Sequence, residues 1–220
     1  MITEDFLNPI KLSLAISLCA SILVFLVGLF VAYQMVKSTF RGKQLLEAFF
    51  YIPLILPPTV TGFILLVLLG RKSFIGYLFE SLSGQTIVFT SFAAVLSSVV
   101  VSFPLVYQTL SVGFESVPVQ LRDAARSEGA TEFQVFRYII IPFAWRSIGA
   151  AYLLGFARSL GEFGATIIVA GMIPGKTLTM TSAIYLAVEN NQTMLAWLWS
   201  IGLILISFMM MLLIRKSVRN

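Results

Sequence analysis

The sequence SVPVQLRDAARSEGATEFQVFRYIIIP, residues 116–142, is the longest stretch of the chain that mixes charged with apolar residues. It lies between segments that are apolar enough to cross a membrane. Ser116 is expected to cap a first helix that has Pro118 in its first turn. The N–H that proline lacks would have no partner within the helix at that position. Gly129 is expected to end that helix, because glycine readily adopts the left-handed conformation found at such termini.

A second short helix is predicted to follow the glycine. Thr131 and Gln134 have the spacing of a capping box, in which each side chain accepts a hydrogen bond from the backbone N–H of the other residue. This helix would carry Phe133 and Phe136 on one side. The stretch therefore predicts a helix, a tight turn and a second helix at the membrane surface.

The composition predicts an all-α integral membrane protein. Of the 220 residues, 58% are hydrophobic and 11% are charged, and the mean hydropathy is +0.94, so the chain has more apolar surface than one soluble domain could bury. We interpret residues 1–220 as a single transmembrane domain with about five transmembrane helices. The predicted spans are residues 10–36, 45–69, 87–110, 143–172 and 194–214.

The same composition disfavours catalysis and metal binding by this chain. The sequence contains no histidine, the most frequent general base and metal ligand, and no cluster of carboxylates replaces it. The single cysteine, Cys19, cannot form a disulfide within the chain. No catalytic residue, metal site or cofactor is therefore expected.

The net charge of +5 is explained by membrane topology. Ten of the fifteen basic residues fall in alternate connections between the spans, at the inner start of the fourth span, or after the last span. They are Lys37, Arg41, Lys43, Arg122, Arg126, Arg137, Arg146, Arg215, Lys216 and Arg219. Loops rich in Lys and Arg remain in the cytoplasm, which places the N-terminus outside and the C-terminus in the cytoplasm. The partner of these charges is thus the lipid bilayer and not a nucleic acid.

The second span is predicted to bend or break. Pro53, Pro57, Pro58 and Gly62 lie within it, and each proline removes a backbone hydrogen bond. The freed carbonyls need partners from other helices or from water. Either a packing kink or a segment that lines a hydrated path would account for this pattern.

The fourth span places charge deep in the membrane. Arg158 and Glu162 are four residues apart and could pair on one helix face, and a central Arg alone costs about 2.5–3.5 kcal/mol. Gly155, Gly161 and Gly164 would let another backbone approach, which suits a subunit interface. The pair could hold two subunits together or lie beside the translocation path. The candidates for the path or its gate are Arg158, Gly161, Glu162, Phe163 and Gly164.

The segment P-G-K-T at residues 174–177 is not a nucleotide-binding P-loop. That motif would need glycine at position 170, where this chain has Ala170. The charge distribution also places the segment outside the cell.

Residues 123–142 resemble the EAA loop of ABC importer permeases, whose pattern is E-A-A, three residues, G, nine residues and I-x-L-P. The matching residues are Asp123, Ala124, Ala125, Gly129, Ile139, Ile141 and Pro142, with Asp in place of Glu and Ile in place of Leu. The resemblance implies that this loop docks on a separate ATPase. It assigns ATPase coupling to Asp123, Ala124, Ala125, Gly129, Ile139 and Pro142. An interfacial helix that only anchors the loop is the alternative.

Three further stretches, residues 56–76, 102–110 and 157–189, resemble the permease subunit of molybdate ABC importers. GEFGA, residues 161–165, is shared with sulfate permeases, whereas IPGKT and the following SAIY favour molybdate, with tungstate as its near-isostere. The resemblance implies a type I ABC importer permease fold and a homodimer in the cytoplasmic (inner) membrane of a prokaryote. It further implies two ATPase subunits, which would bind the ATP and Mg, and an external oxyanion-binding protein.

Other functions remain open at this point. A sulfate-type permease would share the GEFGA segment. An ion-coupled secondary transporter would use Arg158 and Glu162 as a relay, although such folds usually contain internal repeats. A membrane scaffold would account for the spans but not for the prolines or the central charges.

Overall fold

The computed structural model describes residues 2–219, with side chains described for residues 6–213. All regular elements in this part of the chain are helical. The helices are α1 (Ile2–Lys37), α2 (Lys43–Ile55), α3 (Pro58–Leu69), α4 (Phe74–Ser83), α5 (Ser91–Glu115), α6 (Val119–Ser127), α7 (Glu132–Val135), a π-helical turn (Phe136–Ile140), α8 (Ile141–Leu160), α9 (Gly164–Ala170), α10 (Met180–Glu189) and α11 (Thr193–Arg219).

Four helical segments within the described residues are long and apolar enough to cross a membrane. They are Phe6–Lys37, Ser91–Glu115, Glu132–Leu160 and Thr193–Leu213. Helices α2 and α3 meet the same criteria as a bent pair, which gives up to five spans. The prediction of an all-helical membrane protein with about five spans is confirmed.

The predicted break in the second span lies at Leu56 and Pro57. Both residues are extended, with ψ angles of 144° and 137°, and the axes of α2 and α3 differ in direction by 111°. The ring of Pro57 disfavours helical geometry at Leu56, and Pro58 then occupies the first turn of α3, where proline is well tolerated. Pro53 lies within α2 without ending it.

Helices α1, α5 and α8 form the centre of the bundle. Val106 of α5 is fully buried there and packs against glycines on both neighbouring helices. A Cβ atom on Gly28 or Gly155 would lie 2.9 or 2.7 Å from a methyl carbon of Val106, so this side chain packs directly against the backbones of α1 and α8. The close neighbour of Gly155 thus belongs to the same chain.

The fourth span differs from its prediction at both ends. The helix already begins at Glu132 and continues through the π-helical turn into α8, with Pro142 in the first turn of α8. The N–H of Ile141 bonds to the carbonyl of Phe136, five residues back, and this wider turn lets the helix pass the proline. The helix ends at Leu160, so residues 143–172 are not one continuous helix.

The connections between the helices lie at two opposite ends of the bundle. At one end, Trp199 Nε1 donates to the carbonyl of Phe6 over 3.1 Å, and Ser91 Oγ donates to the carbonyl of Lys176. The start of α1, the loop before α5 and the segment around α10 therefore share that end. At the opposite end, Lys37 reaches Glu132, which brings residues 38–42 and 116–142 together.

Candidate functional site: a coupling loop and a pair of broken helices

The turn at Gly129 has the predicted left-handed form. Gly129 has a φ of +87°, its N–H bonds to the carbonyl of Arg126, and the N–H of Ala130 bonds to the carbonyl of Ala125, each over 3.0 Å. This pair of bonds is the Schellman arrangement that ends a helix at glycine. No atom outside the turn lies within 4 Å of the position that a Cβ would take. The positive φ angle, and not a lack of space for a side chain, is therefore what favours glycine at this position.

The start of α6 does not follow the prediction. Ser116 retains helical geometry at the end of α5, and its Oγ donates to the carbonyl of Gly113 over 2.8 Å. Pro118, with a ψ of 129°, is the residue that precedes α6. The serine hydroxyl bonds back to its own helix, and the proline fixes the entry into the next one.

The predicted capping box at Thr131 and Gln134 is present. Gln134 Oε1 accepts from the N–H of Thr131 over 2.7 Å, and Thr131 Oγ1 accepts from the N–H of Gln134 over 3.3 Å. Phe133 and Phe136 do not share a face. Phe133 is 73% exposed, whereas Phe136 packs 4.4 Å from the ring of Tyr33.

The loop presents a groove of about 370 Å³ at its surface. Of the residues assigned to ATPase coupling, Ala125, Gly129 and Ile139 line this groove together, next to Glu128, Ala130, Gln134, Val135 and Tyr138. Asp123, Ala124 and Pro142 are exposed but lie outside it. Asp123 instead accepts a hydrogen bond from Arg126 Nη1 over 2.8 Å on the outer face of α6.

A second feature of the loop, the environment of Glu132, was not predicted from the sequence. Arg126 Nε donates to Glu132 Oε1 over 2.9 Å, and Lys37 Nζ lies 3.1 Å from Glu132 Oε2. Tyr33 Oη donates to the backbone carbonyl and Oε2 of Glu132 over 3.3 and 3.4 Å. The Glu132 carboxylate therefore lies between two cationic side chains, one from α6 and one from the end of α1. Lys37 and Tyr33 are 95 and 99 residues away in sequence, so no local pattern could reveal the contact.

The central pair in the membrane is an ion pair within one chain. Arg158 Nη1 lies 2.8 Å from Glu162 Oε2, and Glu162 Oε1 accepts from the N–H of Ala165 over 2.9 Å. The Glu162 side chain is 1% exposed and that of Arg158 is 29% exposed. Thr181 Oγ1 of α10 donates to the carbonyl of Glu162 over 3.0 Å. Glu162 thus stabilises the start of α9 as well as the charge of Arg158.

The break in the fourth span rests against the break in the second. A Cβ on Gly164 would lie 2.8 Å from Cβ of Pro58, and a Cβ on Gly62 would lie 2.8 Å from Cα of Ala165. The close backbone approach expected at Gly164 is made by α3 of the same chain. Gly161 is exposed, with only the carbonyl of Ala157, at 3.7 Å, near its Cβ position.

Phe163 and the P-G-K-T segment complete this region. The ring of Phe163 lies 5.5 Å from that of Tyr185 on α10. Residues 174–177 form a turn between α9 and α10, in which Thr177 Oγ1 accepts from the N–H of Ile173 and donates to the carbonyl of Gly171. The preceding element is a helix, so the structure agrees with the rejection of a P-loop.

The broken spans and the loop with its glycine turn belong to a multi-pass membrane protein. The model of the family described as binding-protein-dependent transport system inner membrane component matches residues 24–219. The chain belongs to this family, and its apolar helices make it a multi-pass protein of the inner membrane.

Several relatives support this membership across most of the chain. The molybdenum transport system permease protein ModB of Escherichia coli (strain K12) is 40% identical over 190 residues, 86% of this chain and 83% of the relative. The protein of the same name from Haemophilus influenzae is 38% identical over 208 residues, 93% of this chain and 91% of the relative. A probable sulfate transport system permease protein of Chlorella vulgaris is 33% identical, over 85% of this chain and 70% of the relative.

Solved structures show the same fold at low sequence identity. The MetNI methionine ABC transporter in an inward-facing conformation contains a chain that matches with a TM-score of 0.72 at 17% identity. The match covers 99% of this chain and 98% of that chain. The fold is therefore that of an ABC importer permease.

Proposed function

We propose that this chain is the membrane-spanning subunit of an ATP-driven importer for molybdate. The observation that carries the choice of substrate is the similarity, at about 40% identity over most of the chain, to permeases named for molybdenum transport. Tungstate is an alternative cargo because it is nearly isosteric with molybdate. Sulfate is less well supported, since the relative named for sulfate transport is less similar.

ATP hydrolysis would be supplied by two copies of a separate cytoplasmic ATPase, which would bind the ATP and Mg. The groove around Gly129 supports this assignment, because it offers an exposed, partly apolar concavity on a rigid, capped pair of helices. Ala125 and Ile139 line the groove and also pack against the central cluster of the bundle. A push on this surface would therefore reach the membrane helices directly.

The working unit would be a dimer of this chain with the conduit between the two copies. The argument rests on the broken helices, because irregular backbone is not tolerated against lipid. Pro57, Thr59 and Gly161 are exposed at the two breaks, in segments flanked by membrane helices. These residues need a second copy or a hydrated path beside them, and a conduit between two copies would provide both.

The end of the bundle that carries residues 38–42 and 116–142 would face the cytoplasm. These two connections hold most of the basic residues of the described loops, and loops rich in Lys and Arg stay in the cytoplasm. The contact between Lys37 and Glu132 shows that both connections lie at the same end of the bundle. The N-terminus would then lie outside, next to the turn at residues 174–177. An external oxyanion-binding protein would dock on that face.

The structure gives less support to an ion-coupled transporter. A relay residue has to exchange its proton or ion with the path, whereas both oxygens of Glu162 are already engaged by Arg158 and Ala165. The pair is better suited to holding the helix break in place.

Reconstitution tests the proposal. The chain would be placed in proteoliposomes with the ATPase that co-purifies with it and a molybdate-binding receptor on the outer side. We expect uptake of molybdate that requires ATP, with sulfate competing poorly. Uptake that proceeds without ATP, or a preparation from which no ATPase can be captured, would contradict the assignment.

A further inference from the structure

We propose that Glu132 locks the coupling loop to the end of α1, so that α1 moves together with the loop when the ATPase moves it. The proposal rests on the proposed function, in that it takes residues 116–142 to be the segment that the ATPase moves. It assigns Glu132 the role of a positioning residue for coupling.

The connectivity of the chain gives such a lock a role. The loop is joined covalently to α5 before it and to α8 after it, so these two helices follow the loop directly. Helix α1 packs against both and contacts the loop through the side chains of Tyr33 and Lys37. Without a specific contact, the inner end of α1 could stay behind when the loop shifts.

Glu132 supplies that contact through three side chains, two from α1 and one from α6. Lys37 and Tyr33 lie four residues apart, hence on one face of α1, and both reach the Glu132 carboxylate. Arg126 reaches the same carboxylate from α6 on the other side of the glycine turn. One side chain therefore ties the end of α1 to both short helices of the loop.

The rings beneath the carboxylate fix the same geometry. Tyr33 donates its hydroxyl to Glu132 and packs its ring 4.4 Å from Phe136, which follows α7 directly. Phe136 in turn packs 6.1 Å from Phe114 at the end of α5. The polar lock is thus the outer layer of a packed contact between α1, the loop and α5.

The lock is suited to positioning rather than to adding stability. Glu132, Lys37 and Arg126 are each about 40% exposed, and isolated ion pairs at such positions contribute little to stability. A carboxylate held by several charged donors nevertheless has a defined geometry.

The test measures molybdate transported per ATP hydrolysed in the reconstituted complex. Glu132→Gln should lower this ratio by about fivefold, the lower end of typical coupling effects, while the ATPase still co-purifies and still hydrolyses ATP. Glu80→Gln is the matched control, because it removes an exposed ion pair with Arg71 in a connection at the other end of the bundle. The control should leave the ratio unchanged.

A covalent replacement of the lock tests the mechanism independently of how Glu132→Gln folds. Lys37→Cys and Glu132→Cys would be combined in a Cys19→Ser background and joined by a short bifunctional thiol reagent. If α1 and the loop move as one body, cross-linking should restore the ratio lost in the unlinked double variant. A cross-link that stops transport, or a Glu132→Gln variant with an unchanged ratio, overturns the proposal. Failure of the unmodified chain to bind any ATPase would instead contradict the proposed function.

Discussion

Arg158 and Glu162 form an ion pair, with 2.8 Å between Arg158 Nη1 and Glu162 Oε2, across the point where the fourth span stops being helical. The other carboxylate oxygen accepts from the N–H of Ala165 at the start of α9. Phe163, which precedes α9, has no side-chain acceptor, so Glu162 performs the capping role that Ser or Asp performs elsewhere. The Glu162 carboxylate therefore lies where the first backbone N–H groups of α9 need a hydrogen-bond acceptor.

This double role predicts the response to substitution. Glu162→Gln keeps an oxygen for Ala165 but leaves Arg158 without a counter-charge. We expect a loss of about 1–3 kcal/mol in stability, below the range for fully buried pairs because Arg158 is 29% exposed. Adding Arg158→Gln should recover most of it. Thermal unfolding of the purified chain in lipid nanodiscs would measure both changes.

Glu162→Leu serves as the control for the capping role. It removes the acceptor for Ala165 as well as the charge, so Arg158→Gln should not recover the additional loss of about 1 kcal/mol. Equal recovery in the Gln and Leu backgrounds would show that the cap contributes nothing. Simple additivity of Glu162→Gln and Arg158→Gln would show that the two residues do not interact.

The turn at Gly129 gives a second prediction. Gly129→Val forces a β-branched residue into the left-handed region, at a local cost of about 1–2 kcal/mol. We expect the chain to insert normally but to lose the stimulation of its ATPase. Gly84→Val is a matched control, because Gly84 has a φ of +69°, also has open space around it, and lies at the other end of the bundle. Equal ATPase stimulation by the two variants would show that Gly129 has no specific role in coupling.

The features that the sequence predicted correctly depend on neighbouring residues. The turn at Gly129, the Thr131–Gln134 box and the break at Pro57 each follow from local backbone chemistry within a few positions. The predictions that were wrong involve a choice between partners. Ser116 had its own helix as an alternative acceptor, and Phe136 packs against Tyr33 of α1 instead of sharing a face with Phe133.

The contacts that the sequence did not reveal depend on tertiary structure. Nothing near Glu132 indicates that Tyr33 and Lys37 will reach it, because the meeting follows from how α1 packs against α5 and α8. The end of α8 is a similar case. A glycine followed by glutamate is compatible with a continuing helix, and the break becomes evident only from the contacts of Glu162 with Ala165 and Thr181.

The contact between the two broken spans gives a third prediction. Gly62→Ala would place a methyl group 2.8 Å from Cα of Ala165, where only a shift of α3 or α9 could relieve it. Overpacking of this kind costs about 1–3 kcal/mol. Gly161→Ala is the control, since its methyl group would lie 3.7 Å from its nearest neighbour. The unfolding temperature of Gly62→Ala should be clearly lower than that of Gly161→Ala. The reverse order would contradict the observed contact between α3 and α9.

The orientation in the membrane gives a fourth prediction. In a Cys19→Ser background, a cysteine at Gln85 should react with an impermeant maleimide in intact cells, whereas one at Ser127 should react only after lysis. Both residues are exposed, so access and not burial decides the labelling. The opposite pattern would place the groove around Gly129 outside the cell and exclude a cytoplasmic ATPase as its partner.

The last prediction concerns where the substrate is selected. Among the described residues, Arg158 is the candidate membrane-central cation for a doubly charged oxyanion, and Glu162 Oε2 lies 2.8 Å from its Nη1 with the opposite charge. Hydroxyl groups near the breaks add no charge: Thr166 already bonds to Ser97, the Oγ1 of Thr61 is buried, and the exposed hydroxyl of Thr59 is neutral. Without a net positive field, such groups cannot replace the hydration of the anion.

Weak binding also suits a conduit, because a site that binds strongly releases slowly. We therefore expect calorimetry on the purified permease in nanodiscs to show no molybdate binding tighter than about millimolar, which corresponds to about −4 kcal/mol. A molybdate-binding receptor titrated under the same conditions is the positive control. A micromolar site that disappears in Arg158→Gln would show that the permease selects its own substrate, and the receptor would then serve delivery alone.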